Sequence, residues 1–190
     1  MTKKINPFIE QTVVLIKPDG VKRGIVGEVI TRFERLRFTI KAAKLIWVDS
    51  DLVGKHYSDS KEYCIAVGKN ALKNYKLYGL DPMESIGSKK PYEVGKKIRE
   101  WNMEFISSGP VFALLLEGPQ VVKIVRKMVG SLFPFDSAPG TIRGDYATDS
   151  FISSNTASRT AENIIHASGS PKEAEFERKL WFKEKEIYSY

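Results

Sequence analysis

The chain contains only two histidines, His56 and His166, and these are its first candidates for chemistry. A free imidazole has a pKa of about 6.5, so most of it is neutral at pH 7 and able to act as a nucleophile. Histidine can also carry a covalent phosphoryl group. A lone histidine is more often structural, but His166 follows the apolar residues 164–165 and precedes the small residues 167–169, which leave room for a substrate.

A phosphate substrate requires cations where negative charge develops. Lys17, Arg126 and Arg143 are the candidates, although each one taken singly is more often a solvated surface charge. Lys17 ends a predicted buried strand, and Arg143 lies in a segment rich in glycine and proline. Glu177, on a predicted helix after His166, can accept a hydrogen bond from one ring nitrogen, which would fix the tautomer and leave the other nitrogen free.

Two motifs that would indicate other chemistry are absent from the sequence. Residues 68–70, Gly-Lys-Asn, lack the earlier glycine and the Ser/Thr of a Walker-type loop, so a phosphate site here must be built from side chains. The single cysteine, Cys64, excludes an internal disulfide and a multi-cysteine metal site. We expect Cys64 to be a small buried apolar residue.

The composition is that of an ordinary globular protein: 190 residues, 42% hydrophobic and 28% charged. The net charge of +7 and the pI of about 9.3 attract polyanions in general and select no particular ligand. No apolar run approaches the roughly 20 residues that a membrane span needs, and the N-terminus shows no signal-peptide pattern. We therefore expect a cytoplasmic protein with no membrane partner.

Hydrophobic periodicity predicts alternating strands and helices. The predicted strands are 12–16, 38–48, 111–116 and the strand end 164–165; the predicted helices are 25–36, 50–57, 94–105, 121–129 and 171–182. This order matches a ferredoxin-like β-α-β-β-α-β sandwich in the α/β (α+β) class, with an antiparallel sheet and helices on one face.

Three segments depart from this plan. Residues 61–92 are rich in Lys, Tyr and Gly and predict an excursion that is helical only around 69–77, whereas 131–145 predict a loop. Residues 146–160, rich in Ser, Thr and Asn, predict a second excursion. We therefore expect a single domain over 1–190 with insertions at about 62–95 and 146–160.

Several segments resemble the nucleoside diphosphate kinases, in that family's order. They are Thr-Val-Val-Leu-Ile-Lys-Pro-Asp-Gly (12–20), Ser-Gly-Pro-Val (108–111), Pro-Gly-Thr-Ile-Arg-Gly-Asp (139–145) and Asn-Ile-Ile-His-Ala-Ser (163–168). The resemblance covers nearly all of the chain outside the two insertions. It implies a tetramer or hexamer that transfers the terminal phosphate of a nucleoside triphosphate, commonly ATP, to nucleoside diphosphates by a ping-pong mechanism, with Mg²⁺ held mainly by the nucleotide phosphates.

The resemblance also assigns roles to individual residues. His166 matches the histidine that becomes phosphorylated, and Arg126 and Arg143 match the two arginines that clamp phosphate. Lys17 matches the lysine that reaches the sugar hydroxyl and the phosphates, and Asn163 matches the asparagine that binds the sugar hydroxyl.

Three further positions match the surroundings of that site: Tyr57 the tyrosine that lines it near the lysine, and Ser168 and Glu177 the groups around the histidine. Because the assigned contacts touch phosphate and sugar, the resemblance implies a broad tolerance for the base.

The chain departs from the family pattern at three points. Leu132 stands where the family usually has a threonine that binds phosphate, so Ser131 or a backbone amide would have to replace it. Gly169 stands where the family commonly has Asp. The aromatic side chain that stacks on the base is not identified, and Tyr63 is one candidate.

A second reading of the sequence comes from another functional class. A catalytically weak paralogue that binds nucleic acid or acts in regulation would explain the basic pI and Leu132. The retained histidine, arginines, lysine and asparagine favour the active kinase.

Overall fold

Four strands form one antiparallel sheet in the computed structural model, which describes residues 8–190. They are β1 (Ile9–Ile16), β2 (Thr39–Trp47), β3 (Pro110–Pro119) and β4 (Ile165–Ala167). Their order in the sheet is β2-β3-β1-β4, and every neighbouring pair is antiparallel. This arrangement confirms the predicted ferredoxin-like fold.

Ten α-helices surround the sheet within the described residues. They are α1 (Pro18–Lys22), α2 (Val26–Glu34), α3 (Ser50–His56), α4 (Lys61–Leu77), α5 (Pro82–Ser85), α6 (Pro91–Ser107), α7 (Val121–Val129), α8 (Ile142–Tyr146), α9 (Phe151–Thr156) and α10 (Pro171–Trp181). Short 3-10 turns lie at Pro134–Asp136 and Glu184–Glu186. No helix of the described part is long and apolar enough to cross a membrane.

Helices cover both faces of the sheet, so the expectation of helices on one face is wrong. The reason is the continuous apolar run 13–16 in β1, whose side chains are fully buried on both sides. Val14 and Ile16 pack with α2 and α7, whereas Val13 and Leu15 pack with α3, α6 and α10. A strand that is apolar on both faces requires cover on both.

The first excursion is more helical than predicted, because α4 begins at Lys61 rather than near residue 69. The hydroxyl of Ser60 accepts a hydrogen bond from the Tyr63 amide and so caps the helix. Helix α4 packs closely against α6: a Cβ on Gly68 would lie 1.8 Å from a backbone oxygen of that helix. Gly68 therefore serves close helix packing. Cys64 is buried in α4, as predicted.

The segment predicted as the loop 131–145 contains helix α8, which is capped by Thr141. The second excursion contains α9, whose first turn is closed by reciprocal hydrogen bonds between Ser150 and Ser153. Hydrophobic periodicity does not reveal such short, polar helices, because their stability comes from caps and tertiary contacts.

The two excursions pack against each other. Tyr75 of α4 and Phe151 of α9 belong to one apolar cluster, with ring centroids 4.9 Å apart. The Tyr75 hydroxyl also donates to Oδ1 of Asn155 at 2.5 Å. Their contact forms a second small core beside the main sheet.

Candidate active site

His166 lies on the edge strand β4, directly opposite Leu15 of the buried strand β1. The chain enters β4 through Ile164, which has a φ of 68°, a left-handed conformation that is unusual for a β-branched residue. Two hydrogen bonds hold this conformation: the Ile164 amide donates to Asp19 at 2.8 Å, and its carbonyl accepts from the Lys17 amide at 2.7 Å. The turn after β1 and the start of β4 therefore form one unit.

Glu177 fixes the orientation of the His166 ring. Its Oε1 lies 2.7 Å from His166 Nε2, and its Oε2 accepts a hydrogen bond from the Ser168 hydroxyl at 2.6 Å. Because a carboxylate only accepts, Nε2 carries the ring proton and Nδ1 presents a lone pair. Within residues 8–190, Nδ1 has no hydrogen-bond partner, so its lone pair is free to act as a nucleophile.

Helix α10 brings Glu177 to this position. It begins at Pro171, and the Ser170 hydroxyl caps it by accepting from the Glu173 amide at 3.2 Å. The Glu177 side chain is only 3% exposed, whereas 20% of the His166 side chain remains accessible. The supporting carboxylate is thus buried, and the imidazole is reachable.

The surroundings keep His166 neutral. Burial, followed by the Lys17 cation, lowers its pKa to about 3, and Arg143 and Arg126 act in the same direction. Burial raises the pKa of Glu177 above its usual value. A neutral imidazole next to three cations is a nucleophile placed where an anionic substrate would bind.

Lys17 and Asn163 form a buried polar pair. Lys17 Nζ donates to Asn163 Oδ1 at 2.8 Å, and Asn163 Nδ2 donates to the Leu132 carbonyl at 2.9 Å. Burial, and then the nearby Arg143 cation, lowers the pKa of Lys17 to about 8. The Lys17 ammonium also lies 5.5 Å from the centre of the Phe105 ring.

The two arginines differ in their settings. Arg126 is exposed, with one hydrogen bond at 3.3 Å to the Ala167 carbonyl. Arg143 is buried, and its guanidinium donates to the carbonyls of Ser131 at 2.7 Å and Ile165 at 2.6 Å, while its Nε donates to that of Asn163 at 3.2 Å. Burial lowers the pKa of Arg143 to about 10, so it stays charged at neutral pH. Arg143 thus joins the loop after α7 to β4.

His56, the second of the two histidines and one to which the sequence gave no role, is also a member of this cluster. Its ring meets that of His166 edge to face, with centroids 4.8 Å apart, and its Nδ1 accepts from Trp181 Nε1 at 3.4 Å. Burial, followed by the charge effect of His166, lowers the pKa of His56 to about 3. Besides the scarcity of histidine in the chain, the sequence signal for this place was its position directly before Tyr57, whose ring lies 4.7 Å away. Burial raises the pKa of that tyrosine.

The structure also bears on the positions where the chain departs from the family pattern. The Gly169 amide donates to Glu173 Oε2 at 2.9 Å, and a Cβ on Gly169 would lie 2.8 Å from that oxygen. Glu173 therefore supplies a carboxylate beside the histidine segment.

The Leu132 side chain is 61% exposed. Tyr63 lines a cleft with His56, Arg99 and Glu173.

All the residues that the sequence placed in the site therefore lie in one region of the described chain: a neutral histidine held by a buried carboxylate, three cations around it, and an amide paired with a lysine. This arrangement, on a ferredoxin-like fold, is the one that a phosphotransferase with a histidine nucleophile requires.

Comparison with known proteins identifies the family. Residues 10–66 and 89–187 match the family described as "Nucleoside diphosphate kinase". The chain is 41% identical to a nucleoside diphosphate kinase from Pyrobaculum aerophilum over 94% of this chain and 98% of that relative. It is 38% identical to one from Thermus thermophilus, covering 94% and 99%. The chain belongs to the nucleoside diphosphate kinase family.

Solved structures agree. A crystal structure of an NDP kinase from Pyrobaculum aerophilum has a TM-score of 0.92 at 39% identity, covering 95% of this chain and all of that one. A transition-state mimic of the nucleoside-diphosphate kinase from Borrelia burgdorferi, with bound vanadate and ADP, has a TM-score of 0.77 at 33% identity, covering 96% and 92%.

Proposed function

We propose that this enzyme transfers the terminal phosphate of a nucleoside triphosphate, commonly ATP, to a nucleoside diphosphate through a phosphohistidine on His166. The observation that carries the proposal is the hydrogen bond from His166 Nε2 to Glu177, which leaves Nδ1 unprotonated and accessible. The relative solved with vanadate and ADP supports nucleotides as the substrates.

The reaction has two half-steps. In the first, the Nδ1 lone pair forms a bond to the terminal phosphorus while the bond to the bridging oxygen breaks, and the nucleoside diphosphate leaves with that electron pair. Glu177 stabilises the positive charge that develops on the ring. In the second step a new nucleoside diphosphate attacks the phosphorus, and neutral His166 is restored.

We assign the remaining groups to binding. Arg126 and Arg143 contribute positive charge where the transferred phosphoryl group becomes more anionic. Lys17 and Asn163 bind the sugar hydroxyl, and Lys17 also reaches the phosphates. Tyr57 lines the site beside His56, and Ser168 holds Glu177 through its 2.6 Å hydrogen bond.

We propose that the divalent cation is Mg²⁺ and that it is held mainly by the nucleotide phosphates. Mg²⁺ prefers oxygen ligands. Among the described residues the one cluster of possible ligands is His56, His166 and Glu177, which offers two nitrogens and one carboxylate. Asp19 adds a single buried oxygen, Oδ1, without a hydrogen-bond partner in the described part. This set fits a cation that arrives with the substrate, where it would neutralise phosphate charge.

A labelling experiment tests the phosphohistidine. The protein is incubated with ATP labelled on its terminal phosphate, washed, and assayed for acid-labile label that a nucleoside diphosphate removes. We expect label on the wild type and on His56→Asn, which serves as the matched histidine control, and none on His166→Ala. Label that persists in His166→Ala would contradict the mechanism.

The net charge of +7 is also consistent with a second function. In that alternative the protein is a catalytically weak paralogue that binds nucleic acid or acts in regulation. In that case affinity for DNA should fall steeply with added salt and be unaffected by His166→Ala. An unlabelled wild type that binds DNA in this way would favour this alternative.

We propose that the chain forms a single domain with insertions at about 62–95 and 146–160, and that it assembles into a homo-oligomer, a tetramer or hexamer. The family match omits residues 67–88, which lie within the first insertion. The edge strand β2 exposes Leu45 and Trp47, each more than half accessible, as an interface between copies would require. Sedimentation velocity would measure the assembly.

The cytoplasmic location expected from the sequence, with no membrane partner, stays a prediction that cell fractionation would check.

A further inference from the structure

The segment that leads into His166 contains a tight and strained turn. The Ile165 amide donates to the Asn163 carbonyl at 2.7 Å, and Ile164 between them has a φ of 68°. A hydrogen bond between residues two apart, with a positive φ at the central residue, defines the rare and strained form of the γ-turn. Of the four non-glycine residues with a positive φ in residues 8–190, only Ile164 is β-branched. The surrounding contacts must therefore hold this turn.

Two charged side chains hold the peptide group that joins Asn163 to Ile164, one at each end. Asp19 Oδ2 accepts from the Ile164 amide at 2.8 Å, and Arg143 Nε donates to the Asn163 carbonyl at 3.2 Å. The anion thus faces the positive N–H end of the peptide dipole, and the cation faces its negative carbonyl end. Hydrogen bonds with an ionised partner are roughly twice as strong as those between neutral groups. Both charges therefore stabilise the same orientation of this peptide.

No ion pair explains the placement of Asp19. Among residues 8–190 its carboxylate accepts one hydrogen bond, that of the Ile164 amide, and its Oδ1 is buried without a partner. Burial lowers the pKa of both Lys17 and Arg143, and the charge of Asp19 partly offsets this effect, but neither cation forms an ion pair with Asp19 in this part of the chain. The contact that accounts for Asp19 is therefore the one to the turn.

The turn determines the relative positions of two functional groups. Asn163, whose Oδ1 accepts from Lys17 at 2.8 Å, is its first residue, and His166 directly follows its last. If the Ile164 amide were released, Ile164 could relax to a negative φ, and the Asn163 and His166 side chains would move relative to each other. A displacement of about 1 Å can cost roughly 100-fold in rate.

We propose that Asp19 is a positioning residue, which holds the strained turn at Ile164 so that Asn163 and His166 engage the sugar and the phosphate of one nucleotide at the same time. This inference rests on the proposed function, in which Asn163 and Lys17 bind the sugar hydroxyl. Loss of Asp19 should therefore weaken the distinction between a nucleotide that carries this hydroxyl and one that lacks it.

The test compares ADP with dideoxy-ADP, which lacks the ribose hydroxyls. Enzyme phosphorylated with labelled ATP is freed of nucleotide and mixed with each acceptor, so that the rate of label loss gives kcat/KM. A hydrogen bond to a charged group corresponds to roughly tenfold or more, so we expect the wild type to favour ADP by at least about that factor. The ratio for two acceptors does not depend on the fraction of enzyme that is folded, so a merely structural role of Asp19 would leave it unchanged.

Three variants separate positioning from stability. Asp19→Ala removes the acceptor, so the ratio of ADP to dideoxy-ADP should fall about fivefold or more towards one, and phosphorylation by ATP should slow by roughly 10- to 100-fold. Asp19→Asn keeps an uncharged acceptor oxygen, so its ratio should lie between those of Asp19→Ala and the wild type. Asp81→Ala is the matched control, because Asp81 also accepts from a backbone amide, that of Met83 at 2.9 Å, but lies in the first insertion. It should keep the wild-type ratio.

The outcomes separate this inference from the proposed function. A folded Asp19→Ala with the wild-type ratio, or an Asp19→Asn no better than Asp19→Ala, overturns the inference. If thermal unfolding shows that Asp19→Ala does not fold, Asp19→Asn decides, because its weaker hydrogen bond should lower the ratio about twofold and an unchanged ratio overturns the inference. A phosphorylated wild type that uses both acceptors equally also overturns it, whereas a wild type that takes no label from ATP contradicts the proposed function itself.

Discussion

Lys17 Nζ lies 2.8 Å from Oδ1 of Asn163, although 146 positions separate the two residues in the chain. Both side chains are buried, and the pKa of Lys17 is lowered to about 8 as a result. The carbonyl of Asn163 in turn accepts from Arg143 Nε. The hydrogen bond between Lys17 and Asn163 joins the end of strand β1 to the segment before β4. Because the pKa of Lys17 is lowered, we expect nucleotide binding and stability to depend on pH.

We expect nucleotide binding to weaken above about pH 8, where Lys17 loses its proton in the free enzyme. The KM for nucleoside diphosphate should rise with pH, and it should be higher and flatter in Lys17→Met. A pH profile of KM for both proteins checks this. An identical profile in the two would remove Lys17 from the binding site.

The same pKa predicts a trend in stability. Because the pKa of Lys17 in the folded state lies below its value of 10.5 when unfolded, the unfolded chain binds more protons between pH 8 and 10.5. Across that range the free energy of unfolding of the wild type should rise relative to that of Lys17→Met. Denaturant unfolding of both proteins at pH 7.5 and pH 10 measures the difference.

Loss of the carboxylate that orients the nucleophile should slow turnover. In Glu177→Ala, His166 loses its partner at Nε2, and we expect kcat to fall roughly 100-fold, the lower limit of what a positioned acid or base contributes. Ser168→Ala removes only the second hydrogen bond to Glu177 and should have a smaller effect. Single-turnover labelling separates these effects from product release. A larger loss in Ser168→Ala would contradict the assigned roles.

Acid should destabilise the protein through its buried histidines. The pKa of His56 is about 3 when folded and about 6.5 when unfolded, so the unfolded chain takes up the proton first as the pH falls between these values. We expect the wild type to lose about 2 kcal/mol more than His56→Asn between pH 7 and pH 4.5. Denaturant unfolding at the two pH values checks this, and equal losses would contradict a neutral buried His56.

Arg143→Ala should reduce both turnover and stability. The buried guanidinium donates to the carbonyls of Ser131, Asn163 and Ile165, so its loss affects stability as well as turnover. Leaving buried carbonyls without partners costs about 1–3 kcal/mol each. We therefore expect a drop in the melting temperature of several degrees, with Arg126→Ala, an exposed residue, as the matched control. An unchanged melting temperature would show that water replaces Arg143.

Much of the fold was predictable because its pattern is local. The run 12–16, the helix 121–129 and the strand 111–116 have periodicities that a single sequence reveals, and the structure confirms these elements. The sequence predicted only part of helix α4, and it did not predict α8 and α9. Their helical states depend on caps and on packing between segments that are distant in sequence.

The candidate site divides in the same way. The sequence by itself determined the family resemblance and made His166 and Glu177 the candidates for the nucleophile and its partner, since these depend on residue identities within short motifs. Only the tertiary structure decided that His56 packs against His166 and that Glu173 occupies the space beside Gly169. These contacts join residues far apart in the chain, and burial and hydrogen-bond geometry arise only once the chain has folded.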